Sequence, residues 1–350
     1  MITTVIPTYR RPHFLARALR SVLQQTYAGF QVIVYDNASG DETRDVVADF
    51  QRRDPRVRYR AHPQNIGAQA NFIAALRDID TPYFSMLSDD DVLLPSFYEQ
   101  ALAMLAAHPT AVFAASPVMM VDEHGAVVTV NNGDGPSGLD PSSTAMVRIA
   151  AEHFAWTGIL FKREALDAGG IDPQIGMGSD LEFLLRLAGR HPIAVTDGPG
   201  AIFGFHPDSI SAYPRHTLYW PTWVRVIEKV GKDEAVPAEV RARVVDVLER
   251  RLARLLTLVA IFSSSRGDFE DAQAAAAAFA SRYRSPGRRV VMRLVRVACE
   301  RVPGFRWLLD GAITRLRWRR GRVRQWQRIL DQHARLLTIE GRPKRKDAAA

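Results

Sequence analysis

Three consecutive carboxylates, Asp89-Asp90-Asp91, follow the apolar run Tyr83-Phe84-Ser85-Met86-Leu87-Ser88 and precede Val92-Leu93-Leu94-Pro95. The apolar run reads as a buried strand and a helix is expected to start near Pro95, which puts the acids at a strand end. Open α/β sheets bind their ligands at that end of the strands. Adjacent carboxylates repel one another, so such a row in a crevice waits for a cation. Oxygen-only donors suit Mg²⁺ or Mn²⁺, which keep waters and bridge to phosphate oxygens. A solvated acidic loop capping the next helix would use the same residue types. The surrounding chain has to decide.

Three more loops are expected on the same edge. Thr3 to Ile6 reads as a first strand, ended by Pro7 and followed by Pro7-Thr8-Tyr9-Arg10-Arg11. Phe30 to Tyr35 reads as a second strand ending in Asp36-Asn37-Ala38-Ser39-Gly40-Asp41. Val57 to Arg60 is a short third one, followed by Asn65-Ile66-Gly67 and a helix to about Leu76. Strand and helix alternate, as in a βαβ sheet with right-handed crossovers. Asp36 can accept from a base N–H or a ribose hydroxyl, or close an Asx-turn. No Gly-rich phosphate loop of the usual spacing is present, which speaks against a P-loop ATPase and an ordinary dehydrogenase. A metal on the aspartates is then the natural way to neutralise a diphosphate.

Beyond the aspartates, Ser96 to Ala107 is predicted helical, and Val112 to Val121 and Val127 to Val130 are predicted strands around a turn at Glu123-His124-Gly125. Asn131 to Gly138 is long and polar enough for a substrate lid. A helix reaches Phe154, Trp156 to Lys162 reads as a strand, and Gly178-Ser179-Asp180 opens a helix that turns Leu181, Leu184, Leu185 and Leu187 inward. Strands near Ile193–Val195 and Ala201–Phe205 lead to His206-Pro207-Asp208-Ser209. From about Leu218 only helical patterns remain, and Gly341 onward is expected to be disordered.

The net charge of +8 is unevenly placed. Arg282 to Lys346 holds 20 Arg or Lys against four Asp or Glu, so the rest of the chain is acidic. Arg alternating with Val, Leu and Trp on helices is what an interfacial helix uses on an anionic membrane surface. A helical subdomain packing its apolar stripes on the body or on another copy would show the same pattern, leaving room for a homo-oligomer. No nucleic-acid motif is present, so nucleic acid is not an expected partner. The single cysteine, Cys299, fits a reducing compartment. Neither a signal peptide nor an apolar run of membrane-spanning length is recognised.

Taken in order, Val5-Ile6-Pro7-Thr8-Tyr9-Arg10-Arg11, Tyr35 to Thr43, Asn65-Ile66-Gly67, Ser88 to Asp91 and Gly178-Ser179-Asp180 resemble the successive motifs of family 2 glycosyltransferases over roughly the first 215 residues. The resemblance implies an α/β chain of GT-A fold, with a mostly parallel central sheet flanked by helices and a C-terminal α-helical basic region. It also implies a nucleotide-sugar donor, a divalent metal (Mn²⁺ or Mg²⁺) and inversion at the anomeric carbon. The expected division is a catalytic domain over 1–216, with a nucleotide-sugar half to about 120 and an acceptor half beyond. A helical basic region over 217–340 and a tail over 341–350 follow.

Carried over by residue, Pro7, Thr8, Tyr9 and Arg11 would line the nucleotide, with Asp36 on its base and Asn65 and Gly67 beside it. Asp90 falls on the metal position of the family's Asp-x-Asp element and Asp89 would face the ribose; Asp91 and His206 are further metal candidates. Ser88 stands where the element's first aspartate often lies, so the division of roles in the row stays open. Asp180 keeps the catalytic aspartate, although Ser179 replaces the glutamate that commonly precedes it. Trp156, Thr157, Gly158 and Glu182 would face the acceptor, with Glu182 an alternative base.

The chemistry is coherent on its own terms. A sugar hydroxyl needs a carboxylate to take its proton as it attacks C1, and backside attack inverts the centre. The expected reaction moves a sugar, by family habit from a UDP-sugar, to a glycan or lipid-linked acceptor of bacterial cell-surface type. The expected place is the cytoplasmic face of the membrane. Two rivals remain: a nucleotidyltransferase on a similar sheet, and a non-catalytic scaffold acting through the basic tail.

Overall fold

The computed structural model describes residues 1–133, 135–205, 216–317 and 323–338. Strand β1 (Ile2–Thr8), helix α1 (Pro12–Leu23), β2 (Phe30–Asp36), α2 (Thr43–Arg53), β3 (Val57–Ala61), α3 (Ala68–Arg77) and β4 (Tyr83–Met86) alternate as the hydrophobic patterns require. β1 is buried at all seven positions, which fits a strand covered on both faces. It pairs in parallel with β2 on one side and β4 on the other, and β2 pairs in parallel with β3. All four strands therefore end on one edge, with the reversal of strand order falling between β1 and β4. Open sheets keep their binding crevice at such a reversal.

The second half is less regular. After β5 (Val92–Leu93) and α4 (Phe97–Ala107) come β6 (Phe113–Ala115), β7 (Val118–Val121), β8 (Val127–Asn131) and β9 (Gly138–Asp140). Helix α5 (Ser142–Glu152), β10 (Ile159–Lys162), α6 (Ser179–Ala188), β11 (Ile193–Val195) and β12 (Ala201–Gly204) complete the α/β body. The main sheet has eight strands in the order β3-β2-β1-β4-β10-β6-β11-β9, and a smaller sheet runs β5-β12-β7-β8.

Two expected strands are corrected. The run Val112 to Val121 is broken: β6 belongs to the large sheet and β7 to the small one. Pro117 lies at the break, where it has no N–H to give to a ladder. Trp156 to Gly158 is a 3-10 turn, and the strand begins only at Ile159. The polar segment expected as a lid is tied down, since the Arg148 guanidinium donates to Asn132 Oδ1 (2.7 Å) and to the carbonyl of Pro136 (2.8 Å).

Helices α7 (His216–Gly231), α8 (Ala238–Arg266), α9 (Phe269–Arg282), α10 (Pro286–Arg301), α11 (Phe305–Arg317) and α12 (Val323–Gln332) follow. Helices α7 to α10 share the body's core. Val5, Phe84, Met86 and Phe161 belong to one apolar cluster with Val226, Leu248, Leu252 and Phe279. Of the basic tail, α12 packs on the small sheet: Trp326 and Leu330 join Met119, Val121 and Val127. Gln327 accepts from the Val127 amide (2.9 Å) and donates to the carbonyl of Gly125 (3.3 Å). Among the described residues no helix is long and apolar enough to cross a membrane. The tail expected over 341–350 lies outside the described residues.

Candidate active site

The four loops expected on one edge are joined there by hydrogen bonds. Thr8 closes β1 opposite Asp36, the last residue of β2. Asn37 donates to Asn65 Oδ1 (2.9 Å) and accepts from the Ile66 amide (2.8 Å), and Asn65 also accepts from Gly67 N–H (2.8 Å). Ser39 ties the second loop to the first, accepting from Arg10 N–H at 2.8 Å through its hydroxyl and from Arg10 Nε at 3.1 Å through its carbonyl. Arg10 and Ala38 are in the left-handed region, with φ of 54° and 60°. Such strain persists only where the surroundings over-determine it, and it gathers at functional sites.

Asp36 is 4% exposed and accepts on Oδ1 from the Ser39 amide (3.0 Å) and hydroxyl, and on Oδ2 from Tyr59 (2.5 Å). Its carboxylate shapes the turn, which realises the Asx-turn alternative. Tyr9, by contrast, is 37% exposed at the mouth of the edge.

The three aspartates point to different places, because the chain turns directly after β4. Thr8 donates to Asp89 Oδ2 (2.7 Å), and Arg11 Nη1 reaches both Asp89 Oδ1 (3.3 Å) and Asp90 Oδ2 (2.9 Å). Burial, with the charge of Asp90, pushes the Asp89 carboxyl up to about 6 against the pull of Arg11 and Thr8. The pair shares one guanidinium nitrogen. Its donors are all oxygen, so a hard divalent ion fits Asp90 with Asp89 beside it. Among the described residues no group of three or more His, Cys, Asp or Glu is assembled for a metal, so such an ion would need oxygens from a ligand.

Asp91, expected as a further metal candidate, faces the core. It is 0% exposed, and its carboxylate accepts from the Thr157 hydroxyl and from Gly204 N–H (3.0 Å). It pins the large sheet to the small one. Close packing follows at this pin: a Cβ on Gly204 would lie 2.7 Å from the Asp90 carbonyl oxygen. Arg17, from α1, also donates to that carbonyl. A small cleft lined by Asp90, Arg17, Gly204 and Phe205 opens beside the pin.

The residues expected on the acceptor side are placed differently from one another. Thr157 is buried on Asp91, and Gly158 is needed for close approach, since a Cβ there would meet Val118 at 2.5 Å and the Ser116 carbonyl oxygen at 3.1 Å. Glu182, expected on the acceptor side and as an alternative base, is turned into the protein. Its side chain is 3% exposed and bonded to Arg186 Nε (2.9 Å) and Lys229 Nζ (2.9 Å). Trp156 remains half-buried, its ring 5.7 Å from that of Phe183. His206 lies outside the described residues.

Asp180 sits in the first turn of α6, where the helix dipole favours negative charge. Its side chain is 36% exposed, and Oδ2 lies 3.0 Å from His153 Nε2. Burial opposes ionisation, but His153, through charge and hydrogen bond, and the Leu181 amide hold the carboxyl below its ordinary range. His153 ends α5 in the left-handed region, with φ 55°. Asn131 braces it there: the side-chain amide donates to the carbonyls of Glu152 (3.1 Å) and His153 (2.7 Å) and accepts from Ala155 N–H (2.9 Å). Neither Asn131 nor His153 was visible as a site residue in the sequence, because both act through a turn that no local pattern announces.

Comparisons with known proteins bear on the family and the fold. The model of "Glycosyl transferase family 2" matches residues 3–169. An Escherichia coli UDP-Glc:alpha-D-GlcNAc-diphosphoundecaprenol beta-1,3-glucosyltransferase is 28% identical over 105 residues, 30% of this chain and 41% of that protein. A Campylobacter jejuni GalNAc(5)-diNAcBac-PP-undecaprenol beta-1,3-glucosyltransferase is 32% identical over 95 residues, 27% of this chain and 30% of its own length. The aligned part thus spans less than half of these relatives.

Among solved structures, S. aureus TarS 1-349 superposes with a TM-score of 0.60 at 13% identity, over 85% of this chain and 90% of that one. Mannosyltransferase PcManGT from Pyrobaculum calidifontis, in complex with GDP-Man and Mn²⁺, gives 0.52 at 18% identity, over 89% and 86%. These two likenesses show a shared fold, the GT-A fold that the motifs imply. Over residues 3–169, a little under half of its length, the chain matches glycosyl transferase family 2.

Proposed function

We propose that the protein is a metal-dependent, inverting glycosyltransferase that moves a sugar from a nucleotide-sugar to a hydroxyl of a lipid-linked glycan. The observation that carries this reading is the meeting of Thr8, Arg11, Asp89 and Asp90 at the reversal of strand order. A UDP-sugar is the favoured donor. TarS has been crystallised with UDP and with UDP-GlcNAc, although PcManGT holds GDP-Man. The undecaprenol-linked acceptors in the names of the two bacterial relatives support a lipid-linked glycan. A lipid-linked acceptor would bring the reaction to the cytoplasmic face of a membrane.

In this reading the strand-end loops line the nucleotide, and Arg11 offers its guanidinium to the diphosphate. Asp89 would face the ribose and Asp90 would hold the ion. Bound Mg²⁺ or Mn²⁺ would supply charge neutralisation for the leaving diphosphate. Asp180, held ionised, takes the proton of the acceptor hydroxyl as that oxygen bonds to C1. The C1–O bond to the nucleoside diphosphate breaks on the opposite face, and the anomeric centre inverts. Trp156 offers a ring face on the acceptor side.

The test is nucleoside diphosphate release from UDP-, dTDP- and GDP-sugars with Mn²⁺, Mg²⁺ or EDTA, using a bacterial lipid extract as acceptor. Release with one donor, lost with EDTA and in folded Asp90→Ala and Asp180→Asn variants, is the expected result. Pyrophosphate release would point to nucleotidyl transfer. Failure to bind any of the nucleotides by calorimetry, with or without metal, would sink the transferase reading.

A further inference from the structure

Helix α10 has two apolar faces. Met292 and Cys299, seven positions apart, turn inward and are 2% and 5% exposed where α10 packs on α8 and α9. Val290 and Leu294 lie on the opposite side by helical periodicity and Val291 on the flank beside them; they are 54%, 62% and 48% exposed. A helix packed on a body needs one apolar stripe. Past the turn at Gly304, α11 continues the exposure with Trp307 at 81% and Leu308 at 74%. Scattered exposed apolar residues are ordinary, but five on two successive helices, a tryptophan among them, mark an interaction surface.

The charges around this surface are mostly positive, Glu300 and Asp310 being the acids of α10 and α11. Arg288, Arg289 and Arg293 share the first half of α10 with it, and Arg301 and Arg306 flank the turn. Of the acids nearby, Glu300 is bonded to Arg296. In α12, the other amphipathic part of the basic tail, Trp326 and Leu330 are already buried on the small sheet.

We propose that the outward face of α10, with the start of α11, docks on a lipid bilayer rich in anionic headgroups. Trp307, Leu294 and the valines enter the boundary between headgroups and acyl chains, and the arginines reach lipid phosphates. A bilayer supplies an apolar layer and a plane of negative charge together, which is the complement of this face. A second copy is a poorer occupant, because a twofold contact sets the same patch on itself and brings arginine against arginine. The surface is independent of the catalytic reading, since none of its residues belongs to the site.

Flotation of the full chain with vesicles of phosphatidylglycerol and phosphatidylcholine, beside pure phosphatidylcholine, tests the proposal. The variants are Leu294→Glu and Trp307→Glu, singly and together; both side chains are exposed, and thermal melts confirm folding. The expected result is flotation with anionic vesicles that weakens in high salt and falls at least about tenfold in the double variant. Nucleotide binding by calorimetry should be unchanged. Absence of flotation with anionic vesicles, equal flotation of wild type and double variant, or equal flotation with neutral vesicles would each overturn the proposal. So would a wild-type dimer that the same substitutions dissociate, which would give the face to a second copy.

Discussion

His153 Nε2 lies 3.0 Å from Asp180 Oδ2, and the backbone that aims the imidazole is a left-handed turn held by three hydrogen bonds to Asn131. The proposed base is therefore oriented by a second strained element rather than by its own helix alone. Arg251, half-buried with its guanidinium over the Trp223 ring, and Glu152 are further charges in this neighbourhood.

If His153 positions Asp180, His153→Ala should lower kcat about 10- to 100-fold, the scale expected for a misplaced catalytic group. Donor binding should be nearly unchanged. Because His153 helps hold the carboxyl low, its removal raises the Asp180 pKa, so the acid limb of the rate profile moves to higher pH. His153→Gln, which keeps a donor, should recover part of kcat but not the acid limb. Asp180→Asn separates the cases: an active Asp180→Asn refutes the base, whereas a dead one beside an unaffected His153→Ala refutes only the positioning role.

Arg11 holds Asp89 and Asp90 through one nitrogen. Arg11→Ala should weaken nucleotide-sugar binding about tenfold or more, the scale of a hydrogen bond to a charged group. Calorimetry in the presence of metal measures this, and Arg11→Lys should recover only part of it, lacking the planar fork.

The pin at Asp91 is a matter of stability. Gly204→Ala forces a Cβ to 2.7 Å from a backbone oxygen and should cost about 1–3 kcal/mol through backbone displacement. Thr157→Val removes the hydroxyl that Asp91 accepts from and should cost about 1–3 kcal/mol by leaving a buried acceptor short of a partner. Urea unfolding reads both.

Lys229 bonds Asp172 at 2.7 Å, and this hydrogen bond, against a smaller effect of burial, lowers the Asp172 carboxyl below its usual range. A depressed folded pKa contributes stability that is complete above the unfolded value, about 3.9. That contribution is lost as pH falls through the folded value. The stability difference between wild type and Asp172→Asn should thus be constant from neutral pH to about 5 and shrink below about 4. A difference that grew on acidification would contradict the assignment.

The parallel half of the fold was legible because runs such as Phe30 to Tyr35 and Tyr83 to Leu87 are apolar enough to admit only buried strands. The edge that gathers Thr8, Asp36, Asn65 and Asp89 followed from parallel topology. The acceptor half was harder. Whether Val112 to Val121 is one strand or two depends on what Pro117 does within a second sheet that local periodicity does not reveal. Asp90 and Asp91 are alike in sequence, and only the turn after β4 sends one toward the cleft and the other into the core. Likewise α10 and α12 are both basic and amphipathic, but the small sheet offers its face to only one of them.

The apolar cluster that joins Phe84 and Phe161 to Leu248, Leu252 and Phe279 has a mechanical consequence. Helix α8, on which α10 rests, is not a tethered appendage but part of the same solid block as the sheet. The catalytic edge and the outward face of α10 are held at a fixed mutual attitude, and neither can swing relative to the other without opening the core between them. Shortening the chain to the segment that carries the family motifs would remove one wall of that core, so the segment alone should unfold at lower urea than the full chain.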